Sequence, residues 1–301
     1  MPKVAIVIVT WNGKDDLLEC LSSLEKIEPP RPAIIVVDNG STDGTADAAA
    51  ERFPGVEIIS SPVNRGFAGG NNLGIEKALA AGAGYVCLLN NDTVADPRFL
   101  SELLKAAERH PRAGILGPRV YYRSRPDVVW SQGIAVHRLS GRIYTPFQNR
   151  PDRGLPDGGG PADAVSGAAM LLKGEMLREA GGFDEDYFLC FEDVDLCLRA
   201  RQKGYLTVTV PASRVYHHVS GSMGGEHSET VVYYSTRNHL LLINRQYPLS
   251  PAGRGIRNLL IVVYTLIFAA VTAGPSRGPK IRAWRRGLLD YCRGRYGERT
   301  G

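Results

Sequence analysis

Val36-Val37-Asp38-Asn39-Gly40-Ser41 and Leu88-Leu89-Asn90-Asn91-Asp92-Thr93 decide how this chain is read. Each is a short, β-prone apolar run that stops at an acidic, amide-rich turn. Unbroken apolar runs of this length suit strands covered on both faces, as in a parallel sheet. Ligands of open parallel sheets bind beyond the carboxyl ends of the strands. Two such ends, carrying Asp38 and Asp92, predict a sheet-edge site for a polar ligand and a divalent cation.

The flanking sequence repeats the pattern. Strands are expected over 4–9, 33–38, 56–60 and 85–89, and helices over 15–26, 43–53, 68–81 and 97–110. Ser41 or Thr42 is the expected N-cap of the second helix. Strand and helix in alternation imply βαβ units, an α/β fold and a parallel sheet. The pattern loosens past Gly114, and 123–163, rich in Gly, Pro, Asp and Arg, reads as hairpins and a mobile loop. A strand over 165–173, a helix over 192–203, a strand over 206–210 and a long helix over 229–245 follow.

With 301 residues, 44% hydrophobic and 22% charged, the chain is long and apolar enough for a folded globular body with a substantial core. Its net charge of +5 is unevenly spread: from Pro275 onward eight Lys/Arg stand against two acids, which leaves the rest near neutral. The five cysteines are dispersed, with no CxxC pair, which suits a reduced cytosolic compartment. The N-terminal apolar run lacks the basic start and small-residue cleavage site of a signal peptide. Residues 259–273 carry no charge, and nineteen residues separate Arg257 from Arg277. A spanning helix needs about 20 apolar residues. Beyond this run, Ile281, Trp284, Leu288 and Tyr291 recur at helical spacing with arginines opposite, the pattern of a basic interfacial helix at a membrane surface. DNA binding is a poor reading of the same charge, because nucleic acid does not require the adjoining uncharged run.

The first two strand ends lead into Thr10-Trp11-Asn12-Gly13 and Asp38-Asn39-Gly40-Ser41. Such loops let backbone N–H groups approach a nucleotide, and Asp38 suits a pyrimidine N–H or a ribose hydroxyl. The stretch Asn64-Arg65-Gly66-Phe67-Ala68-Gly69-Gly70-Asn71-Asn72 offers glycines, amides and one guanidinium where a helix starts, which suits phosphate or sugar hydroxyls. Asn90-Asn91-Asp92 supplies one carboxylate and two amides. Mg²⁺ commonly takes one or two carboxylates plus phosphate oxygens, and a histidine from His217-His218 tilts the set toward Mn²⁺. Glu192, Asp193 and Asp195 open a helix. The helix dipole favours acids there, but three within four residues exceed that need, so one is a candidate general base. Neither G-x-G-x-x-G after the first strand nor a P-loop motif occurs, which disfavours dinucleotide oxidoreductases and P-loop NTPases.

The ordered series of motifs resembles the family 2 glycosyltransferases. It runs through Val7-Ile8-Val9-Thr10-Trp11-Asn12, Val37-Asp38-Asn39-Gly40-Ser41-Thr42-Asp43-Gly44-Thr45, residues 64–74, Leu89-Asn90-Asn91-Asp92-Thr93, Gly181-Gly182-Phe183-Asp184 and Phe191-Glu192-Asp193-Val194-Asp195-Leu196. Val215-Tyr216-His217-His218-Val219-Ser220-Gly221-Ser222, Tyr233-Tyr234-Ser235-Thr236-Arg237-Asn238 and Arg286-Gly287-Leu288-Leu289-Asp290 are similar to its rhamnosyltransferase-type members, which build cell-surface polysaccharides. The resemblance implies a GT-A fold, Rossmann-like, with a mixed, mainly parallel sheet and a C-terminal helical membrane-associating segment. Residues 1–250 then form the transferase domain, with a nucleotide-sugar half (1–113) and an acceptor half (114–250), and 251–301 the C-terminal helices.

The resemblance also implies roles. Asp193 is the catalytic base, supported by Glu192. Asp92 is the metal ligand of a DXD-type motif whose first position is Asn90 here, and His217 completes coordination of Mg²⁺ or Mn²⁺. Thr10, Asn12, Asp38, Asn64, Arg65, Gly66, Asn72, Asn90, Asn91 and Arg237 are the donor-binding set, with Arg237 on the diphosphate. The expected reaction is inverting transfer of rhamnose or another hexose from a dTDP- or UDP-sugar to a glycan or polyprenyl-linked acceptor, at the inner face of the cytoplasmic membrane. A nucleotidyltransferase is the first rival, though no G-x-G-[ST]-R-like loop lies near the N-terminus. A non-catalytic nucleotide-sugar-binding protein is the second, and would not need Asp193.

Overall fold

The computed structural model describes residues 3–219, 228–271 and 277–299. Ser220, Gly221 and Ser222 of the late motif, and the last two residues of the 259–273 run, lie outside them. The first half follows the expected alternation: β1 (Val4–Thr10), α1 (Lys14–Leu24), β2 (Ala33–Asp38), α2 (Thr45–Arg52), β3 (Glu57–Ser60), α3 (Gly66–Ala80), β4 (Tyr85–Leu89), β5 (Thr93–Ala95) and α4 (Phe99–Arg109). The second half comprises β6 (Ala113–Tyr122), β7 (Arg125–Ser131), β8 (Ala135–His137), β9 (Arg142–Tyr144), β10 (Gly160–Pro161), β11 (Ala169–Lys173), α5 (Gly174–Ala180), α6 (Glu192–Gln202), β12 (Leu206–His217), α7 (Glu229–Gln246), α8 (Pro251–Val271) and α9 (Arg277–Cys292).

One large sheet runs β10-β12-β6-β11-β4-β1-β2-β3, with β5 paired to β12 and β7 to β6. Strands β1, β2, β3, β4, β6 and β12 point one way, and β11 runs against its neighbours β4 and β6. The register aligns Thr10 with Asp38 and Asp38 with Ser60, so these strand ends form one rim. His217 ends β12 on the same rim and pairs with Thr93 of β5, which brings it beside Asp92. Both sheet faces are covered. Ala5 and Val7 contribute to the core shared with α3, α5, α6 and α7, while Val4, Ile6 and Ile8 contribute to the core shared with α1 and α4. This period of two explains why the strands are apolar throughout. Gly74 lets α3 lie directly on β1, since a Cβ there collides with the Val7 side chain.

The local readings need four corrections. Ser41 and Thr42 do not cap α2: Asp43 Oδ1 accepts from Thr45 N–H at 3.1 Å, while Ser41 Oγ accepts from Asn12 N–H at 2.9 Å. Strand β6, buried along its whole length, was hidden by Gly114, Gly117 and Pro118. These glycines do not make turns; they admit Met176 and Tyr205, and Val165, at distances that leave no room for a Cβ. Strand β12 continues past Pro211 through a register shift between Val210 and Arg214, which is how His217 reaches the rim.

The fourth correction concerns the C-terminal helices. The stripe of α9 read as membrane-facing is turned inward. Trp284 Nε1 donates to Thr265 Oγ1 at 3.0 Å, Asn244 Nδ2 donates to Tyr291 Oη at 2.9 Å, and Leu288 packs on the main core. Gly287 sits so close to α7 that a Cβ would lie 2.5 Å from the Tyr233 carbonyl oxygen. Helix α8 also lies along the body, burying Arg257, Ile261, Thr265 and Ala269. The segment from 251 on is therefore bound to the rest of the body along its helices.

Candidate active site

A cavity of about 450 Å³ opens at the rim where β1, β2 and β4 end. Thr10, Asn64, Gly66, Asn90 and Asn91 of the expected donor set line it. Hydrogen bonds tie these walls together. Asn91 Nδ2 donates to Thr10 Oγ1 at 3.2 Å, and Asn39 Nδ2 donates to Asn64 Oδ1 and to the Gly66 carbonyl, both at 3.0 Å. Gly66 has φ +71°, and a Cβ there would meet the Phe188 carbonyl oxygen at 2.5 Å, so only glycine closes this corner. Asp38, 6% exposed, lies just behind the wall and accepts from Ser41 N–H at 3.2 Å. Asn12 is not among the lining residues; its Oδ1 accepts from Thr42 N–H at 2.8 Å, which clips the first two strand-end loops together.

Other members of the donor set are placed elsewhere. Arg65 points to a neighbouring open cavity and lies 4.0 Å from Glu185. Asn72 ties α3 to the loop before α6: its Oδ1 accepts from Phe183 N–H, and its Nδ2 donates to the Phe183 carbonyl and Glu185. Both ends of the amide are thus engaged within the protein. Arg237 is 1% exposed, and its guanidinium donates to the carbonyls of Gly297, Asp186 and Tyr187 and to Asn238 Oδ1. A guanidinium held this way is not free for a diphosphate. Together with Asn238, whose Nδ2 donates to the Tyr187, Leu189 and Cys190 carbonyls, it fixes the 186–190 loop. The need is physical, because Phe188, Cys190 and Phe191 all sit at positive φ, which costs roughly 1–3 kcal/mol for each non-glycine residue unless neighbours enforce it.

Asp92 and His217 form one acidic centre. His217 Nε2 lies 3.0 Å from Asp92 Oδ1, and both side chains are nearly buried. The approach is not aligned as a hydrogen bond. Asp92 Oδ1 and His217 Nδ1 have no hydrogen-bond partner. Buried polar atoms without partners call for an occupant, and an oxygen–nitrogen pair suits a divalent ion that keeps other positions for phosphate and water. Among the described residues no group of three or more His, Cys, Asp or Glu comes together as a metal site, so Asp92 and His217 would supply two ligands of such a set. His218 faces away, toward Asp16 at 3.3 Å.

The start of α6 forms the other centre. Asp195 is 1% exposed and joined to Tyr187 Oη, Arg199 Nε and Gln246 Nε2, which makes it structural. Asp193 accepts from Gly167 N–H at 2.8 Å and Val194 N–H at 2.7 Å. Burial pushes its carboxyl above the usual range, and those N–H groups oppose the rise. Glu192 is buried with Oε2 unpartnered. Burial first and the neighbouring Asp193 second hold its carboxyl well above the usual range. The loop at 166–168 joins this centre to the cavity, since Gly167 bonds Asp193 and the Ala168 carbonyl accepts from Asn90 N–H at 2.9 Å.

A model of the family described as glycosyl transferase family 2 matches residues 5–174. The chain belongs to that family. It is 32% identical over 259 residues to an N-acetylglucosaminyl-diphospho-decaprenol L-rhamnosyltransferase of Mycobacterium tuberculosis, covering 80% of this chain and 84% of the relative. It is 25% identical over 295 residues to the dTDP-rhamnosyl transferase RfbF of Shigella flexneri, covering 94% and 92%. Among solved structures, the mannosyltransferase PcManGT of Pyrobaculum calidifontis, in complex with GDP-Man and Mn²⁺, superposes with a TM-score of 0.61 at 17% identity, covering 97% of this chain and 87% of that one. S. aureus TarS gives a TM-score of 0.60 at 16% identity, over 97% and 49%. The family 2 chain has the GT-A fold and is a glycosyltransferase. Its cavity also has walls outside the expected donor set, among them Trp11, Phe188, Tyr234, Glu298 and Arg299. Trp11 is 41% exposed at the mouth, a signal visible beside Thr10, whereas the residues near 298 follow no pattern in the sequence.

Proposed function

We propose that this glycosyltransferase is inverting, that it takes a hexose, first of all rhamnose, from a dTDP-sugar with UDP-sugars as the next choice, and that it delivers the sugar to a polyprenyl-linked glycan in cell-surface polysaccharide synthesis. The observation that carries the reading is the loop at 166–168, which bonds the Asp193 carboxylate on one side and the Asn90 strand end on the other. A sugar hydroxyl is a weak nucleophile and a diphosphate a charged leaving group. Asp193, held by two N–H groups, takes the acceptor proton as the hydroxyl attacks the face opposite the leaving group. Burial and Asp193 push the Glu192 carboxyl toward its neutral form, which lessens the negative charge beside the base. Asn64, Gly66, Asn90 and Asn91 line the donor's berth. Asp92 and His217 would hold Mg²⁺ or Mn²⁺, whose bound form supplies charge stabilisation for the departing diphosphate. The two relatives that carry rhamnose in their names support the sugar, and the decaprenol-linked one supports the acceptor class.

The site of action on this reading is the inner membrane surface. Helix α8 is long and apolar enough to cross a membrane by length and composition. One stripe is buried on the body, and the opposite one exposes Ile256, Leu259, Leu260, Val263, Ile267 and Val271. A helix docked lengthwise on a folded body suits lying in the interface plane, with the arginines of α9 nearby to meet anionic headgroups. Replacing Leu260 and Ile267 with Glu leaves the fold intact and should release the protein from anionic vesicles; unchanged partition contradicts this placement.

The direct test of the donor is a panel of nucleotide sugars read by thermal shift with Mn²⁺. At about 100-fold excess over Kd a true donor adds roughly 2.7 kcal/mol, a rise of about 5 °C for a chain of this size. dTDP-rhamnose is expected to lead. Stabilisation by nucleoside triphosphates alone would favour the nucleotidyltransferase reading instead.

A further inference from the structure

The residues that close the donor cavity opposite the strand ends come from the far end of the described chain. Glu298 and Arg299 are the only charged side chains lining the cavity among the described residues. Their backbone is fixed at several points. Gly297 N–H donates to the Asp186 carbonyl at 2.7 Å, Arg237 Nη1 donates to the Gly297 carbonyl at 2.7 Å, and Arg299 N–H donates to Tyr234 Oη at 2.9 Å. Tyr296 packs on the main core, with the Arg245 guanidinium 5.4 Å from its ring centroid. The same Arg237 also holds the 186–187 carbonyls, so one buried guanidinium staples this segment to the loop that leads into α6.

Arg299 itself is exposed, its guanidinium resting 5.4 Å from the Tyr233 ring centroid, and it forms no salt bridge with any described carboxylate. Glu298 also borders the adjoining cavity that Arg65 lines. A guanidinium on a stapled backbone, the one cation among the described residues of a cavity walled by amides, hydroxyls, apolar side chains and Glu298, is prepared for an anion. Arg237 cannot meet that anion, because its donors are engaged.

We infer that Arg299 is the cation that binds the diphosphate of the nucleotide donor, and that residues 297–299 are a wall of the donor site held in place by Arg237. This rests on the donor reading of the cavity. The segment then couples two parts of the molecule: whatever displaces 297–299 opens the donor cavity and also frees the loop that leads into α6, the helix of Asp193.

The test is calorimetric titration of dTDP, UDP, dTMP and UMP, with Mn²⁺ present, into the full chain and into Arg299→Ala, Arg299→Lys and Glu298→Gln. Arg299→Ala should weaken nucleoside diphosphate binding about ten-fold, the loss typical of a charge-assisted hydrogen bond. Monophosphate binding should stay within about two-fold, being the part of the ligand this residue does not reach. Arg299→Lys should restore part of the diphosphate affinity, since charge returns without the planar fork. Glu298→Gln should tighten binding slightly by removing a like charge. Diphosphate affinity unchanged in Arg299→Ala overturns the inference and leaves the donor reading standing. Equal losses of mono- and diphosphate overturn it too, because the segment would then be a wall only. If the unmodified chain binds no nucleoside diphosphate, both the inference and the donor reading fall.

Discussion

The strand end at 90–92 and the helix start at 192–195 both hydrogen-bond the loop at 166–168, yet their carboxylates are prepared in opposite ways. Asp92 keeps an oxygen without a hydrogen bond, 3.0 Å from His217 Nε2, and the other ring nitrogen, Nδ1, is likewise unpartnered. Asp193 has both oxygens engaged by backbone N–H groups and is pushed by burial toward holding a proton. Unfilled coordination invites an ion. Filled coordination with raised proton affinity holds a group still and makes it a better base near neutral pH. The difference teaches that two aspartates close to one loop are told apart by what their oxygens already bond.

The largest effect should follow from removing the base. Asp193→Asn keeps the shape and the N–H contact at one oxygen, so the fold survives while turnover drops on the order of 10²–10⁴-fold; a steady-state transfer assay checks it. Two residues along the same helix, Asp195 provides the contrast. Asp195→Ala strips Tyr187, Arg199 and Gln246 of a shared partner and should cost about 3 kcal/mol of stability. Denaturant unfolding should reveal that loss, with residual activity following the folded fraction.

The smallest effect at neutral pH belongs to Glu192. Burial and the neighbouring Asp193 push its carboxyl toward the protonated form, so Glu192→Gln, which mimics that form, should change turnover little. The sign of the pH dependence follows from the same shift. A folded-state pKa above the unfolded one adds stability at low pH that is lost as pH rises toward the folded value. Glu192→Gln should therefore be more resistant to alkaline unfolding than the parent, seen as a higher Tm at high pH. Activity of the parent should fall on the acid side at a pH above the ordinary carboxylate range, since Asp193 must be deprotonated to act.

What the sequence revealed followed from how local the cause was. Strands β1, β2 and β4 announced themselves because burial on both faces forces unbroken apolar runs. Asp92 and His217 were paired in advance through the family resemblance, and β5 against β12 supplies the reason. Strand β6 was obscured because its glycines serve close packing, which reads like turn chemistry. Arg237 was misread because a guanidinium looks equally suited to phosphate and to carbonyls; only its burial decides. The inward turn of α9 was hidden for a similar reason, since an apolar stripe does not name its partner. Arg299 depends on tertiary contacts alone, and no periodic signal marks it.

The central claim is that Asp92 serves the donor and Asp193 the acceptor proton. Donor affinity and turnover measured side by side in Asp92→Asn and Asp193→Asn, with Mn²⁺ present, test it most directly. The expected result is a split: weakened donor binding in Asp92→Asn, and donor binding unchanged with transfer lost in Asp193→Asn. The same loss of donor binding in both variants, or transfer retained in Asp193→Asn, would contradict it.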